Sequence, residues 1–410
     1  MKKFLLLGAA AMLAGSVNAQ TSTGTITGKL KLDWEHSMAT YTTNVTRSIG
    51  QLGKQALVLN HTNGTVEVWD EIGKVKEYWV NAWLSDNKAN INPDDDEAYT
   101  MGRGVSTDEA GNIIVNLQFP GSFSSMKFVA IKPDGTMTYI PCEFPGGVDL
   151  PEGCGRMDFL GDKSAGDVFN NGFIIACPNA LQYAVVYSIY NGEQDPDYSY
   201  GVKIGAADNT ESWNTESTAI FLEPLAAEAT EAPKFIARSR GLGGFRISNQ
   251  VGEGKYQLDK MTYEGEGMIN WGAATCTNFT AFKVADKYYA VVNQPDGGVR
   301  THSWEVFDLQ TAASLARWTM PTGESVNYMV GFASSVNEDG SVNIYQFNPG
   351  IRLAKYTLAA EVTGINNVIA DADENAPVEY YNLQGVKVEK PENGIFIKKQ
   401  GAKATKIIAE

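Results

Sequence analysis

Six short apolar runs of β type recur along the chain, and this repetition limits the fold more than any other feature. They are Ala56 to Leu59, Asn112 to Val115, Gly172 to Ile175, Gly244 to Ile247, Tyr288 to Val291 and Ser341 to Ile344. They follow one another at intervals of roughly 57 residues, a period that signals repeated units stacked on each other. Polar or glycine turns stand directly ahead of several runs: Asp108-Glu109-Ala110-Gly111, Asn170-Asn171-Gly172 and Glu338-Asp339-Gly340. Elsewhere an apolar strand comes first, as in Phe235-Ile236-Ala237 and Phe279 to Phe282. Strand, turn and strand together read as a hairpin.

A second hairpin follows in most units. Val66 to Asp70 turns through Ile72-Gly73 and returns as Val75 to Trp79. Phe128 to Ile131 turns at Pro133-Asp134-Gly135 and returns as Thr136 to Ile140, and Trp304 to Asp308 turns near Thr311 and returns toward Trp318. In each, apolar and polar residues alternate with the period of a half-buried strand. Two hairpins make a four-stranded antiparallel sheet that cannot bury both faces alone, so neighbouring sheets must stack, and closing them into a ring removes the exposed edges. The expected fold is all-β: a β-propeller of about six four-stranded blades over residues 20–360. Seven blades follow if the long interval between Gly172 and Gly244 hides another, and an array of β-sandwiches is the competing architecture. The segment from Thr25-Ile26 to Leu32-Asp33-Trp34 is expected to supply the outer strand that completes the last blade. Over residues 25–360 the hairpins resemble secreted bacterial propellers with strand–Asp–turn–strand blades. No amphipathic helical pattern supports an α/β alternative.

Both ends carry separate signals. Lys2 and Lys3 precede the apolar stretch Phe4 to Gly15, and Val17-Asn18-Ala19 places small residues where a signal peptidase reads, so residues 1–19 are expected to be removed near Ala19. The stretch is too short to span a bilayer, and no later run approaches the roughly 18 apolar residues a transmembrane helix needs. A polar linker is read over 361–377. Beyond it, Val378 to Val388, Gly394 to Lys399 and Lys403 to Ile408 are short strands joined by turns, a small β module over 378–410. On Tyr381-Asn382-Leu383-Gln384-Gly385, Gly394-Ile395-Phe396-Ile397 and the closing lysine-rich strand, this module resembles the C-terminal sorting modules of exported Bacteroidetes-type proteins. The resemblance implies recognition by type IX secretion machinery and delivery to the cell surface or medium.

Charge agrees with this division. The chain has 48 acidic and 33 basic side chains, a net charge of −15. The acid excess belongs to residues 20–377, because in the tail Lys387, Lys390, Lys398, Lys399, Lys403 and Lys406 outnumber Glu379, Glu389, Glu392 and Glu410. Such a body lacks the basic surface that nucleic-acid binding requires.

Catalytic signatures are absent. There is no G-x-S-x-G elbow, no H-E-x-x-H and no phosphate-cradling glycine loop, and Gly241 to Gly244 reads as a hairpin turn. His61 is expected in a solvated turn and His302 as a blade-packing residue. Asp94, Asp95, Asp96 and Glu97 form the densest anionic run, a solvated acidic loop or a calcium site; the spacing is not that of an EF-hand. Cys142 and Cys154 flank a Pro/Gly-rich stretch and could close a small loop by a disulfide, whereas Cys177 and Cys276 read as small buried residues. The turns at Asp108 and Glu338 come near a sialidase-type Asp-box but miss its register. Trp69, Trp79, Trp304 and Trp318 are expected in the core. Trp83, Trp213 and Trp271 lie in or beside irregular polar segments, where an aromatic face can stack on a sugar ring or cover a hydrophobic edge. The expected activity is non-catalytic binding of a glycan or protein through loops 82–102, 141–160, 194–216 and 265–277. The alternative is an extracellular glycosidase or lyase using loop carboxylates, and a structural envelope protein is a third reading.

Overall fold

The computed structural model describes residues 24–41, 49–93, 98–118, 125–146, 159–177, 183–203, 217–239, 245–252, 255–261, 279–296, 299–321, 330–360, 378–382, 387–388, 390, 394–400 and 403–409. Contacts divide the chain into two compact units, Met1–Ala359 and Ala360–Glu410. The signal segment and the 361–377 linker lie outside the described residues.

The first unit is a six-bladed β-propeller. Two N-terminal strands, β1 (Thr25–Gly28) and β2 (Leu30–Ser37), precede the blades. Blade 1 is β3 (Ile49–Leu52), β4 (Gln55–Asn60), β5 (Thr65–Trp69) and β6 (Lys74–Tyr78). Blade 2 is β7 (Thr100–Thr107), β8 (Ile113–Gln118), β9 (Ser125–Ile131) and β10 (Met137–Glu143). In blade 3 the inner edge is split into β11 (Phe159–Leu160) and β12 (Ala165–Asp167), followed by β13 (Asn171–Cys177), β14 (Tyr183–Tyr190) and β15 (Glu193–Lys203).

Blade 4 is β16 (Ser217–Phe221), β17 (Phe235–Ser239), β18 (Arg246–Gly252) and β19 (Lys255–Lys260). Blade 5 is β20 (Phe279–Val284), β21 (Lys287–Asp296), β22 (Val299–Asp308) and β23 (Ser314–Thr319). Blade 6 is β24 (Gly331–Val336), β25 (Val342–Asn348) and β26 (Arg352–Leu358), with β2 as its fourth strand. The inner strands meet in order, β3 with β7, β7 with β11, β11 with β16, β16 with β20, β20 with β24, and β24 again with β3, so the ring closes.

Closure therefore joins the two ends of the unit, because β2 runs antiparallel to β26 from Leu30↔Leu358 to Ser37↔Arg352. The N-terminal segment does more than the sequence suggested. Its first part, β1, pairs with β23 and adds a fifth strand to blade 5. Among the described residues the long interval before Gly244 holds no extra blade. Five of the six repeated runs fall on the second strand of their blade, but Gly244 to Ile247 leads into β18, the third strand of blade 4. The second strand there is β17, set back by the long connection from Phe221 to Phe235. One run out of step produced the long interval.

Two-sided burial explains why the second strands are almost continuously apolar. Along β4, Leu57 and Leu59 point toward blade 2 and pack with Val105, Ile113 and Val115. Ala56 and Val58 point the other way and pack with Ala333, Tyr345 and Phe347 of blade 6. The same alternation sends Ile114 and Phe128 against Ile174 and Tyr187 of blade 3, with the Phe128 and Tyr187 rings 5.7 Å apart. Between blades 5 and 6, Trp304 lies 5.8 Å from Phe332 and 5.1 Å from Tyr356. Trp304 and Trp318 are core residues as expected, but Trp79 is 51% exposed, because the chain leaves β6 there for the helix Val80–Asp86.

In the second unit, β27 (Val378–Tyr381), β28 (Lys387–Val388), β29 (Gly394–Gln400) and β30 (Lys403–Ala409) form one antiparallel sheet in the order β28-β27-β29-β30.

Truncating a side chain between two blades should cost far more than truncating one on the rim. Ile174→Ala, in the core between blades 2 and 3, is expected to lose about 2–5 kcal/mol of stability. Ile72→Ala, at a site 86% exposed, should change stability by less than about 0.5 kcal/mol. Denaturant melts of the two variants check the contrast, and equal losses would contradict inter-blade packing as the source of stability.

Candidate functional site

Small polar side chains crowd the middle of the ring, where six strands converge and large residues do not fit. Ser106 of β7 bonds Ser164 at 2.7 Å, and Thr280 of β20 bonds Ser334 of β24 at 2.7 Å. Both Ser164 and its neighbours Asp162 and Lys163 come from the segment between β11 and β12. Thr280 Oγ1 donates to Asp162 Oδ2 at 3.0 Å. Lys163 reaches from blade 3 across to blades 5 and 6, donating to the carbonyl of Ala281 and, at 3.0 Å, to Ser334 Oγ. The axis is thus crossed by one lysine and lined by hydroxyls.

Burial dominates the electrostatics of this pair. Asp162 is only 4% exposed. Desolvation pushes its pKa up to about 6, against the opposing pull of Lys163 and the Thr280 hydrogen bond. Desolvation likewise lowers Lys163, opposed by Asp162. Asp162 Oδ1 has no hydrogen-bond partner.

Two depressions open over the axis on one face. The smaller, about 190 Å³, is lined by Lys163, Ser164, Asp108, Glu109 and the Phe221 to Pro224 stretch. The larger, about 920 Å³, shares Gln51, Thr107, Asp108 and Glu109 with it and extends over Lys54, Asn337 to Asp339, Asn343, Lys355 and Thr357. Because strands alternate in direction, the β3–β4, β7–β8 and β24–β25 turns share this face. The crossovers from one blade to the next lie on the other.

Three of the acids at this mouth, Asp108, Glu109 and Asp339, are tied into the scaffold. Asp108 accepts from the backbone and side-chain nitrogens of Asn112, both at 2.8 Å, and from Val168 N at 3.0 Å. Burial raises its pKa, and those bonds oppose the rise. Glu109 Oε1 accepts Gly166 N at 2.9 Å and Leu225 N at 2.8 Å, linking blade 2 to blades 3 and 4. Asp339 Oδ1 accepts Ser341 Oγ at 2.6 Å and Ser341 N at 2.9 Å, which holds its carboxyl below the usual range. A buried acid elsewhere is equally committed: Glu67 accepts from Tyr41, from Trp69 at 3.1 Å and from Asn60 at 3.0 Å.

The residues singled out in the sequence are distributed differently. Trp83 sits on the helix Val80–Asp86, half-buried against the core between blades 1 and 2, where it covers a hydrophobic edge. Trp213, Trp271, Asp94, Asp95, Asp96, Glu97 and Cys154 lie outside the described residues. Cys142, expected in a bridge with Cys154, is a free thiol buried in the core between blades 2 and 3. Among the described residues no group of three or more His, Cys, Asp and Glu is placed to hold a metal ion. His61 corrects its expectation: it occupies the β4–β5 turn but is half-buried, with Nε2 shielded from solvent, and burial with nearby Arg103 lowers its pKa to about 4. His36 Nε2 donates to the carbonyl oxygen of Asp70 at 2.6 Å.

The turns at Asp108 and Glu338 were legible as turns. Their convergence over one depression was not, and nothing in Gly161-Asp162-Lys163-Ser164 marked an axial cluster. No protein-family model and no curated protein matches the chain. Solved structures resemble it distantly. A putative gluconolactonase is 9% identical, with TM-score 0.43, over 80% of this chain and 97% of that one. Virginiamycin B lyase from Staphylococcus aureus is 11% identical, with TM-score 0.39, over 80% of this chain and 100% of that one. A protein of unknown function from Dyadobacter fermentans is 10% identical, with TM-score 0.43, over 81% of this chain and 100% of that one.

A raised carboxyl pKa has a definite sign in stability. The folded chain keeps the Asp162 proton between 3.8 and about 6, where the unfolded chain has released it. This contribution is present below the lower value and lost as pH rises through the upper one. Wild type is therefore expected to lose stability relative to Asp162→Asn across that window. Melting midpoints of both proteins against pH read the difference, and a flat or rising difference would count against the assignment.

Proposed function

We propose that the chain is an exported, non-catalytic binding protein that takes a hydroxyl-rich ligand, a glycan, over the axial mouth of the propeller. One observation carries this reading: the depression of about 920 Å³ is lined by amides, hydroxyls and lysines, while three of its four acids, Asp108, Glu109 and Asp339, are held by structural hydrogen bonds and Glu338 is exposed. Gln51 and Lys54 offer polar groups of the kind sugar hydroxyls pair with. General acid–base hydrolysis needs two carboxylates free to exchange protons on either side of a glycosidic bond, and Asp108, Glu109 and Asp339 are each held by backbone N–H groups. Asp162, with its raised pKa, favours the alternative of a carbohydrate-active enzyme, but it sits below the mouth against Lys163 and Thr280.

The export reading rests on the N-terminal signal pattern and the resemblance of the tail to type IX sorting modules. The compactness of residues 360–410 as a separate unit is consistent with it. No helix among the described residues is long and apolar enough to cross a membrane.

A glycan array followed by titration calorimetry tests the binding reading. For any hit, Gln51→Ala and Lys54→Ala are each expected to weaken affinity roughly fivefold, about 1 kcal/mol for one lost hydrogen bond. Release of reducing ends from a bound polysaccharide would replace the binding reading with the enzymatic one. Deleting residues 378–410 is expected to leave the chain inside the outer membrane of its native host, read by fractionation; unchanged surface delivery would refute the sorting role.

A further inference from the structure

A separate cavity lies on the outer rim between blades 3 and 4, away from the axial mouth. It holds about 390 Å³ and is lined by Asp197, Tyr198, Ser199, Tyr200, Thr230, Glu231 and Tyr256. Its origin is a bulge in β15. Asp195 pairs with Ser188 and Tyr200 with Val186, so Pro196 to Ser199 stand opposite the single residue Tyr187. Proline cannot donate to the ladder, and bulges re-aim side chains and concentrate next to binding sites.

The bulge is locked from within. Asp195 Oδ1 accepts Asp197 N at 3.1 Å, Ser199 Oγ donates to Asp195 O at 2.7 Å, and Ser188 N donates to Ser199 Oγ at 3.1 Å. Asp197 and Tyr198 are therefore presented outward by a preformed frame, with Tyr198 51% exposed. The opposite wall comes from blade 4. The rings of Tyr200 and Tyr256 stack with centroids 4.1 Å apart and planes 8° apart, joining the two outermost strands. Glu231 is oriented by Gln250, which donates to Oε1 at 2.6 Å. Burial, reinforced by neighbouring groups including Glu231, raises both phenols, Tyr256 to about 12, so the rings stay neutral.

The lining thus combines three aromatic rings, two carboxylates and no basic side chain. Neither Asp197 nor Glu231 forms an ion pair among the described residues. Aromatic faces attract cations through the ring quadrupole, and two uncompensated carboxylates strengthen that preference. The volume suits one side chain or small amine. We propose that this rim cleft is a binding site for an organic cation, a guanidinium or alkylammonium group, held between Tyr198 and the Tyr200–Tyr256 stack and paired with Asp197 and Glu231. Such a group could be the Arg or Lys side chain of a polypeptide or a free polyamine.

Titration calorimetry of the full chain separates these cases. The probes are Nα-acetyl-arginine methylamide, Nα-acetyl-lysine methylamide and spermidine, with the citrulline analogue and methyl glucoside as neutral comparisons. A single capped side chain is expected to bind with Kd on the order of 1 mM at low salt. Tyr198→Ala and the double variant Asp197→Asn/Glu231→Gln should each weaken it at least about fivefold, and the neutral probes should not bind. Preference for the capped residues over spermidine identifies a polypeptide source; the reverse identifies a free polyamine. Because Asp197 and Tyr198 are exposed, their variants should keep the wild-type melting midpoint. No binding by any cation, binding unchanged in the variants, or preference for methyl glucoside overturns the proposal, and none of these outcomes bears on the axial mouth.

Discussion

Each sheet of the ring depends on its two neighbours, because both of its faces are apolar. Along β4, Leu57 and Leu59 are covered by blade 2 while Ala56 and Val58 are covered by blade 6. Removing either neighbour would return one face to water, so the blades are stable only as a closed set. Closure then rests on one long-range pairing, β2 on β26, which ties the start of the unit to its end. Ordering the whole chain between those partners costs entropy that grows only slowly with loop length, whereas the seam completes a blade and buries Trp34 against Tyr345.

Convergence of six strands creates the opposite demand at the centre. There is no room for large side chains, and the inner strands supply serine and threonine, with Lys163 spanning from blade 3 to blades 5 and 6. Buried polar groups of this kind pair with one another, Asp162 Oδ1 excepted. Glu109 extends the same logic to the mouth, where one carboxylate oxygen receives two backbone N–H groups from different blades. An acid spent in this way positions a surface and is poorly placed to exchange protons.

Where sequence reading erred, a tertiary cause can be named. Gly244 to Ile247 has the composition of a second strand, yet the extended β16–β17 connection makes it the third. His61 sits in a polar turn that any local rule exposes, but its ring is half-buried and its Nε2 is shielded from solvent. Trp79 follows an alternating strand and would continue its inward face had the chain not turned there into a helix. The bulge of β15 was hidden in a stretch that looked like irregular loop, although Pro196 was its one local trace.

Period-two alternation, turn chemistry and repeat spacing are local properties, and from them the sequence by itself determined an all-β ring of about six blades with a seam near its N-terminus. It also determined the mildly basic, separately folded character of the tail. Which side chains meet was decided only by the tertiary structure. Lys163 finds Ala281 and Ser334, Glu109 finds Leu225, and Tyr200 finds Tyr256, all across blade boundaries. Those contacts depend on the rotation from one blade to the next, a global quantity that no window of residues encodes. Both candidate binding sites are built from such contacts, and neither could be read before the ring was closed.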